Sequence, residues 1–238
     1  MAVKNISLAE ASYDVWEFLQ SQTLNSESID IRQCQYWINS TRAKLLKQKF
    51  DKESTYNIDE HFVQEISISN SGVPMEIIDS SVVASIPSDR YISRTSISIP
   101  ATIERTNRIG TFTRIGPADK LGERYPLITY ENALVWGSGR FNQDSIAAFL
   151  LGDRICLISK NAQSIRGITK ISVHGVFQNA IEAAKLTKPT WTEDDDYPIN
   201  LSMIDDMKSI ILGEDFKVIG KIPADPNPVN PETIDKKD

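Results

Sequence analysis

The sequence predicts an α+β fold: a helical bundle built from both chain ends, with a central antiparallel β-rich insert. Three observations predict it. A long amphipathic pattern runs from Ser26 to Phe50. Short alternating segments separated by tight-turn signals fill the middle, from Phe62 to Phe177. Helical spacing of apolar residues then returns over Ser202–Leu212. The reading divides the chain into a helical bundle over 1–60 and 178–215, a β-rich insert (sandwich or barrel) over 61–177, and an extended Pro-rich C-terminal arm over 216–238.

The first helix starts at Ser7-Leu8-Ala9-Glu10, which has the Ser-x-x-Glu spacing of a capping box. It runs to about Gln22, with Leu8, Ala11, Val15, Phe18 and Leu19 on its apolar face. Thr23-Leu24-Asn25 is a link short enough to make the next helix an antiparallel neighbour. In that second helix Ile31, Cys34, Ile38, Thr41 and Leu45 recur at spacings of three and four. Ser26 or Ser28 is the expected N-cap. Arg42, Lys44, Lys47 and Lys49 load the last turns with positive charge, which suits the helix dipole, and the basic clusters at 42–52 and 104–124 read as solvated faces. The predicted bundle core is Ile31, Ile38 and Leu45 packed against Met207 and Ile211.

The period changes to two at Phe62, and a strand is expected over 62–68, followed by a turn at Asn70-Ser71-Gly72. Residues 76–86 give no clear assignment. Tyr91 to Ile99 reads as a strand ended by Pro100. Two shorter strands at 101–105 and 108–115 form an expected hairpin about Thr106-Asn107, closed by Gly116-Pro117. Further strands are expected at 126–130, 133–141, 146–151 and 154–159, with Leu151-Gly152-Asp153-Arg154 as a tight turn between the last two. Ile168 to Phe177 is the last strand. Asn179-Ala180-Ile181-Glu182 opens a short helix. A loop over 187–198 carries Trp191 and the acidic run Glu193 to Asp196. Met203, Ile204, Met207, Ile210 and Ile211 form the final helical stripe, with Gly213 as the expected C-cap.

Composition sets bounds on function. The 238 residues are 40% hydrophobic, enough for a sizeable core, and the net charge is −6. An acidic chain without a concentrated basic patch is not a sequence-specific nucleic-acid reader. Cys34 and Cys156 are the two cysteines, both in apolar surroundings, and read as small buried hydrophobes in a reducing compartment. The opening MAVKNISLAE has no apolar targeting core and no 18-residue apolar run occurs, so the expectation is a soluble product with no membrane span.

The residues that carry chemistry do not assemble into a motif. His61 and His174 are the two histidines, and neither is spaced for a nucleophile pair with Cys34 or Cys156. There is no HExxH and no CxxC. Gly137-Ser138-Gly139 lacks the third glycine of a dinucleotide loop and reads as a bend in a strand, and Trp136 occupies the first glycine position of a nucleophile elbow. Glu193 to Asp196 lacks the glycine and distal Glu of an EF-hand loop and reads as a solvated acidic loop. The aromatic residues at 125, 130, 136 and 141 read as β core. The expectation is no catalytic residue, no cofactor and no metal, so not an enzyme.

Two segments carry a family resemblance: LNSESIDIRQCQYWINSTRAKLLKQKF near the start and DYPINLSMIDDMKSIILGEDFKVIGKIPADPNPVN near the end, with VHGVFQNA as a third and weaker match. Together they resemble the head-to-tail connector or ring proteins of crAss-like tailed bacteriophages. The resemblance implies a helical bundle with a β-rich insert, similar to the adaptor proteins of short-tailed phages. It implies a twelve-fold ring below the portal, in the virion at the head–tail junction, made in the bacterial host cytoplasm. The implied partners are copies of itself, the portal protein and other tail or ring proteins, with genomic DNA passing through without sequence-specific binding. The arm is expected to reach the portal or a neighbouring subunit, with Ile222, Pro223, Asp225, Pro226, Asn227 and Val229 as its contact residues. A soluble cytosolic module that binds a ligand or peptide in the β half is the alternative reading.

Overall fold

The computed structural model describes residues 6–22, 29–52, 58–68, 71–80, 83, 86–104, 111–119, 122–139 and 142–215. The expected link at 23–25, the caps Ser26 and Ser28, Asn70, the Thr106-Asn107 turn, Phe141 and the whole 216–238 arm lie outside the described residues. Within them the fold is α+β, with helices of both chain halves packed beside one curled sheet.

A two-residue strand, β1 (Ile6–Ser7), leads directly into α1 (Leu8–Gln22). The capping box forms in both directions: Glu10 N–H donates to Ser7 Oγ at 3.1 Å, and Ser7 N–H donates to Glu10 Oε2 at 3.3 Å. The second helix, α2 (Ile31–Lys52), begins later than the sequence reading placed it. Asp30 is its cap, accepting from Arg32 N–H through Oδ1 at 3.3 Å, while Asp30 N–H donates to Gln33 Oε1 at 3.4 Å. The late start explains one correction. Ile31 is the first helical residue and is 40% exposed, outside the core.

The sheet has eight strands: β2 (Gln64–Ile66), β3 (Val73–Ile78), β4 (Tyr91–Thr95), β5 (Phe112–Pro117), β6 (Leu127–Ile128), β7 (Ala147–Leu151), β8 (Arg154–Ser159) and β9 (Lys170–Gly175). On one side of β9 lies β5; on its other side lie β2 and then the start of β3, in line with each other. β3 leaves β9 after Pro74 and pairs β4 from Met75 onward, which turns the sheet through a corner. β8, β7 and β6 follow in order. Gly72, at φ +89°, makes the turn into β3, and a Cβ there would sit 2.7 Å from the Ile171 carbonyl oxygen. The segment after β5 bridges the two ends of the curl. Tyr125 N–H donates to the Ile115 carbonyl at 2.7 Å, and Ala148 N–H donates to the Pro126 carbonyl at 2.9 Å.

Several expectations need correction. Strand β2 is three residues long, because a 3₁₀ turn over Glu60–Phe62 occupies the start of the expected 62–68 strand. The turn of the hairpin expected around residue 106 and the residues next to it lie outside the described residues; of the rest, Thr102 makes a single bridge to Phe177, and β5 pairs β9 with Gly116 and Pro117 inside the strand instead of closing a turn. The 133–141 strand is in fact α3 (Tyr130–Val135), started by Thr129 Oγ1 accepting from Asn132 N–H at 3.3 Å. Gly137-Ser138-Gly139 therefore follows a helix, with Gly137 at φ +77°. A helix not foreseen, α4 (Ala162–Arg166), is capped by Asn161 Oδ1, which accepts from Gln163 N–H at 2.9 Å. The sheet is also not purely antiparallel, since β6 runs parallel to β7.

The described residues after β9 form α5 (Ala180–Thr187), a short strand β10 (Asp196–Tyr197) paired with β1, and α6 (Leu201–Ile210). Gly213 lies inside a π-type turn over Ile211–Asp215 instead of capping α6. Leu19, Cys34, Ile38, Met207 and Ile211 are buried together where α1, α2 and α6 meet, and Leu45 is partly buried against them. β7 and β8 are buried on both faces. Ala148, Ile155 and Leu157 face one cluster with Val173 and Ile165, while Phe149, Cys156 and Ile158 face another with Ala133 of α3. That two-sided burial is why ICLI is a continuous apolar run.

Candidate interaction surfaces

Arg42 joins the helical layer to the rest of the molecule. It lies one turn beyond Ile38 and one turn before Leu46, on the buried side of α2, and is fully buried. Its Nε donates to the Pro198 carbonyl at 2.8 Å and its Nη1 to the Phe177 carbonyl at 3.0 Å. The guanidinium carbon stands 5.8 Å from the centroid of the Tyr197 ring. Tyr197 in turn donates to Asn39 Oδ1 at 2.8 Å, one turn earlier on α2. Burial pulls the Arg42 pKa below the usual arginine value, and burial pushes the Tyr197 phenol up to about 12. Arginine keeps its charge even so. A buried cation held by two carbonyls and an aromatic face is a geometric lock between α2, the chain after β9 and the chain before α6. The expectation that the basic run from 42 is a solvated face fails at this residue.

The second surface is a cleft of about 470 Å³ beside β5. It is lined by the apolar Ile58, Val63 and Phe112. Arg114 and Arg124 also line it, with Glu60 opposite in charge. Sheet register builds this place. Arg114 on β5 is directly opposite His174 on β9, and His174 is directly opposite Glu65 on β2. A cation, an imidazole and a carboxylate therefore form one row across three strands. His174 Nε2 lies 2.8 Å from Ser172 Oγ and 4.0 Å from Glu65 Oε1. Arg114 Nη2 donates to the Gly122 carbonyl at 3.2 Å, and Arg124 Nη1 to the Thr113 carbonyl at 3.1 Å.

The remaining candidate residues are dispersed. Cys34 is a free thiol among the helices and Cys156 a free thiol in the sheet, both fully buried. Burial pushes each up to about 11, which makes both poor nucleophiles near neutral pH. His61 sits in the 3₁₀ turn against the Phe62 ring. Among the described residues no group of His, Cys, Asp or Glu is arranged to hold a metal ion. The acidic run is engaged, not merely solvated: Glu193 Oε2 accepts from Gln35 Nε2 at 2.5 Å, and Asp195 Oδ1 from Lys188 Nζ at 2.6 Å. Among the described residues no helix is long and apolar enough to cross a membrane.

Large apolar side chains are also exposed, among them Tyr36 at 72% and Val135 and Leu201 at 64% each. Sequence reasoning missed Arg42 and the cleft. The signal for Arg42 was present, since Cys34, Ile38, Arg42 and Leu46 repeat every four residues and place a charge on the apolar stripe. The cleft gave no such signal, because its row comes from three strands far apart in sequence. The predicted core residues are placed as described above, while the arm residues Ile222, Pro223, Asp225, Pro226, Asn227 and Val229 lie outside the described residues.

No curated protein matches the chain. Residues 10–233 match the family described as phage tail ring protein 2. That match spans nearly the whole sequence, helical and β portions alike, and the protein belongs to this ring-protein family of crAss-like phages.

Proposed function

We propose that this virion ring protein is the adaptor of the head-to-tail connector: a ring of twelve copies that joins the portal to the tail and surrounds the path of the DNA. The observation that carries the reading is the family match over residues 10–233. The architecture supports it. Segments from both ends of the chain, 1–60 and 178–215, would form the ring-building helical bundle, 61–177 a β-rich module hung from it, and 216–238 an arm toward the portal or the next copy. The buried Arg42 contacts hold bundle and module in one fixed relation, as a load-transmitting ring requires. Engaged acids and inert thiols support a non-catalytic role.

A net charge of −6 per copy suits a conduit for DNA. Basic walls would hold phosphates through counterion release and slow passage. Acidic residues are therefore assigned to the channel wall, and genomic DNA passes without sequence-specific contact. Electron microscopy of purified virions tests the reading. The expected result is a closed ring of twelve copies between portal and tail with an acidic lumen. A ring placed elsewhere in the tail, or a predominantly basic lumen, contradicts it.

A further inference from the structure

The cleft beside β5 is lined by the apolar Ile58, Val63 and Phe112, by the two guanidinium groups of Arg114 and Arg124, and by His174 and Glu60, so that two cations stand against one carboxylate. Each guanidinium is oriented by a contact to a backbone carbonyl, Arg114 to Gly122 and Arg124 to Thr113. A guanidinium carries five N–H donors in one plane, and such a contact fixes that plane. Apolar side chains beside two cations suit an extended segment that alternates carboxylates with apolar residues.

The chain contains one such segment beyond the described residues. Residues 223–235, PADPNPVNPETID, carry Asp225, Glu232 and Asp235, no lysine or arginine, and the apolar Val229 and Ile234. Prolines at 223, 226, 228 and 231 fix φ at four positions and so lower the entropy lost on docking. From Asp215 it begins within reach of roughly 26 Å at about 3.3 Å per residue. A closed ring needs a heterologous contact, in which two different patches of one chain meet across each interface. An acidic segment and a cationic cleft are such a pair.

We propose that residues 223–235 of one copy dock in the Arg114–Arg124 cleft of the next copy, so that each subunit gives one half and receives the other. This rests on the ring reading above and names the contact that closes the ring. Arg114 and Arg124 engage the carboxylates, and Val229 and Ile234 cover the apolar side chains. The contact weakens with salt most at Arg124, which is exposed, and less at Arg114, which is partly buried.

A fluorescent peptide of residues 219–238, titrated with the full chain and followed by anisotropy, tests this. Saturable binding is expected, weakened at least about tenfold by Arg114→Glu with Arg124→Glu and by less than about threefold by the Arg→Lys pair, in keeping with charge attraction. A peptide with Asp225, Glu232 and Asp235 all changed to Lys leaves the receptor chain untouched. It should bind the wild-type chain poorly and the charge-reversed double variant, Arg114→Glu with Arg124→Glu, well. Absence of peptide binding, or equal binding to wild type and charge-reversed variant, overturns the docking. Ring closure is read separately, by microscopy of the assembled connector. A chain that enters rings but ignores the peptide refutes this contact alone, and one that binds the peptide but never forms rings refutes the ring reading alone.

Discussion

The Arg42 guanidinium donates to the carbonyl of Phe177 at 3.0 Å, fastening the middle of α2 to the chain just beyond β9. The same group holds the Pro198 carbonyl. Replacing Arg42 with Ala removes both charge-assisted bonds, strands two carbonyls in a closed interior and leaves a cavity. The expected cost is about 3 kcal/mol or more, read as a lowered urea midpoint. Arg42→Lys keeps the charge but not the fork, so it should recover less than half of the loss. An Arg42→Ala midpoint equal to wild type would show that the lock carries no stability.

Core truncations should rank by burial. Ile38→Ala, Met207→Ala and Ile211→Ala act on fully buried side chains where α1, α2 and α6 meet, and each is expected to cost about 2–5 kcal/mol. Ile31→Ala acts on a side chain 40% exposed at the first turn of α2 and should stay within about 0.5 kcal/mol. Equal effects at Ile31 and Ile38 in denaturant titrations would refute this packing.

Stability should fall on the alkaline side. The folded thiols of Cys34 and Cys156 are raised to about 11 and the Tyr197 phenol to about 12, in each case chiefly by burial. In the unfolded chain thiols ionise near ~8.5 and tyrosine near ~10. Between those values the unfolded state has released protons that the folded state still holds, so unfolding gains ground as pH rises. The stabilisation is fully present below about pH 8.5, declines through about pH 11 and is gone above about pH 12. Urea midpoints at about pH 7 and about pH 10 measure the loss, and a Cys34→Ala, Cys156→Ala double variant should show a shallower decline. An unchanged slope in that variant would exclude the thiols as its cause.

What the sequence revealed was local. Ser7 and Glu10 announced the cap of α1, Asn179 the cap of α5, and Gly152, at φ +61°, the β7–β8 turn. Other elements were overruled from outside. Ala133-Leu134-Val135-Trp136 has strand-like residues, yet the Thr129 cap and the burial of Ala133 beside Phe149 settle it as helix. β2 is too short for its period to be read, and the parallel β6–β7 pairing depends on chain return, not on residue type. The candidate cleft was hidden for a related reason. Arg114, His174 and Glu65 meet only through strand register, which no local pattern specifies.

Gly72 gives a sharp test of that register. At its φ of +89°, a Cβ would stand 2.7 Å from the Ile171 carbonyl oxygen, which leaves no room for alanine. Gly72→Ala should cost about 1–3 kcal/mol, since strain and a backbone clash add. Gly139 meets nothing within 4 Å of a Cβ, and Gly139→Ala should be close to neutral. Thermal midpoints that fail to separate the two would place the β2–β3 turn differently.

The final prediction concerns residues 220–238. Among the described residues, the buried clusters run to Ile211, with Leu212 packed on them, and residues 220–238 lie outside the described residues. The segment's four prolines between 223 and 231 remove backbone donors, and Ile222, Val229 and Ile234 are too few to bury a core of their own. Such a segment is expected to contribute to assembly and not to folding. Deleting it should move the urea midpoint by less than about 0.5 kcal/mol equivalent. Incorporation into connectors should fail, because the contact across each interface loses one partner. Truncated protein found in virions at the normal copy number would show that the ring closes without the arm, and truncated protein that does not fold would show that the segment belongs to the subunit's own core.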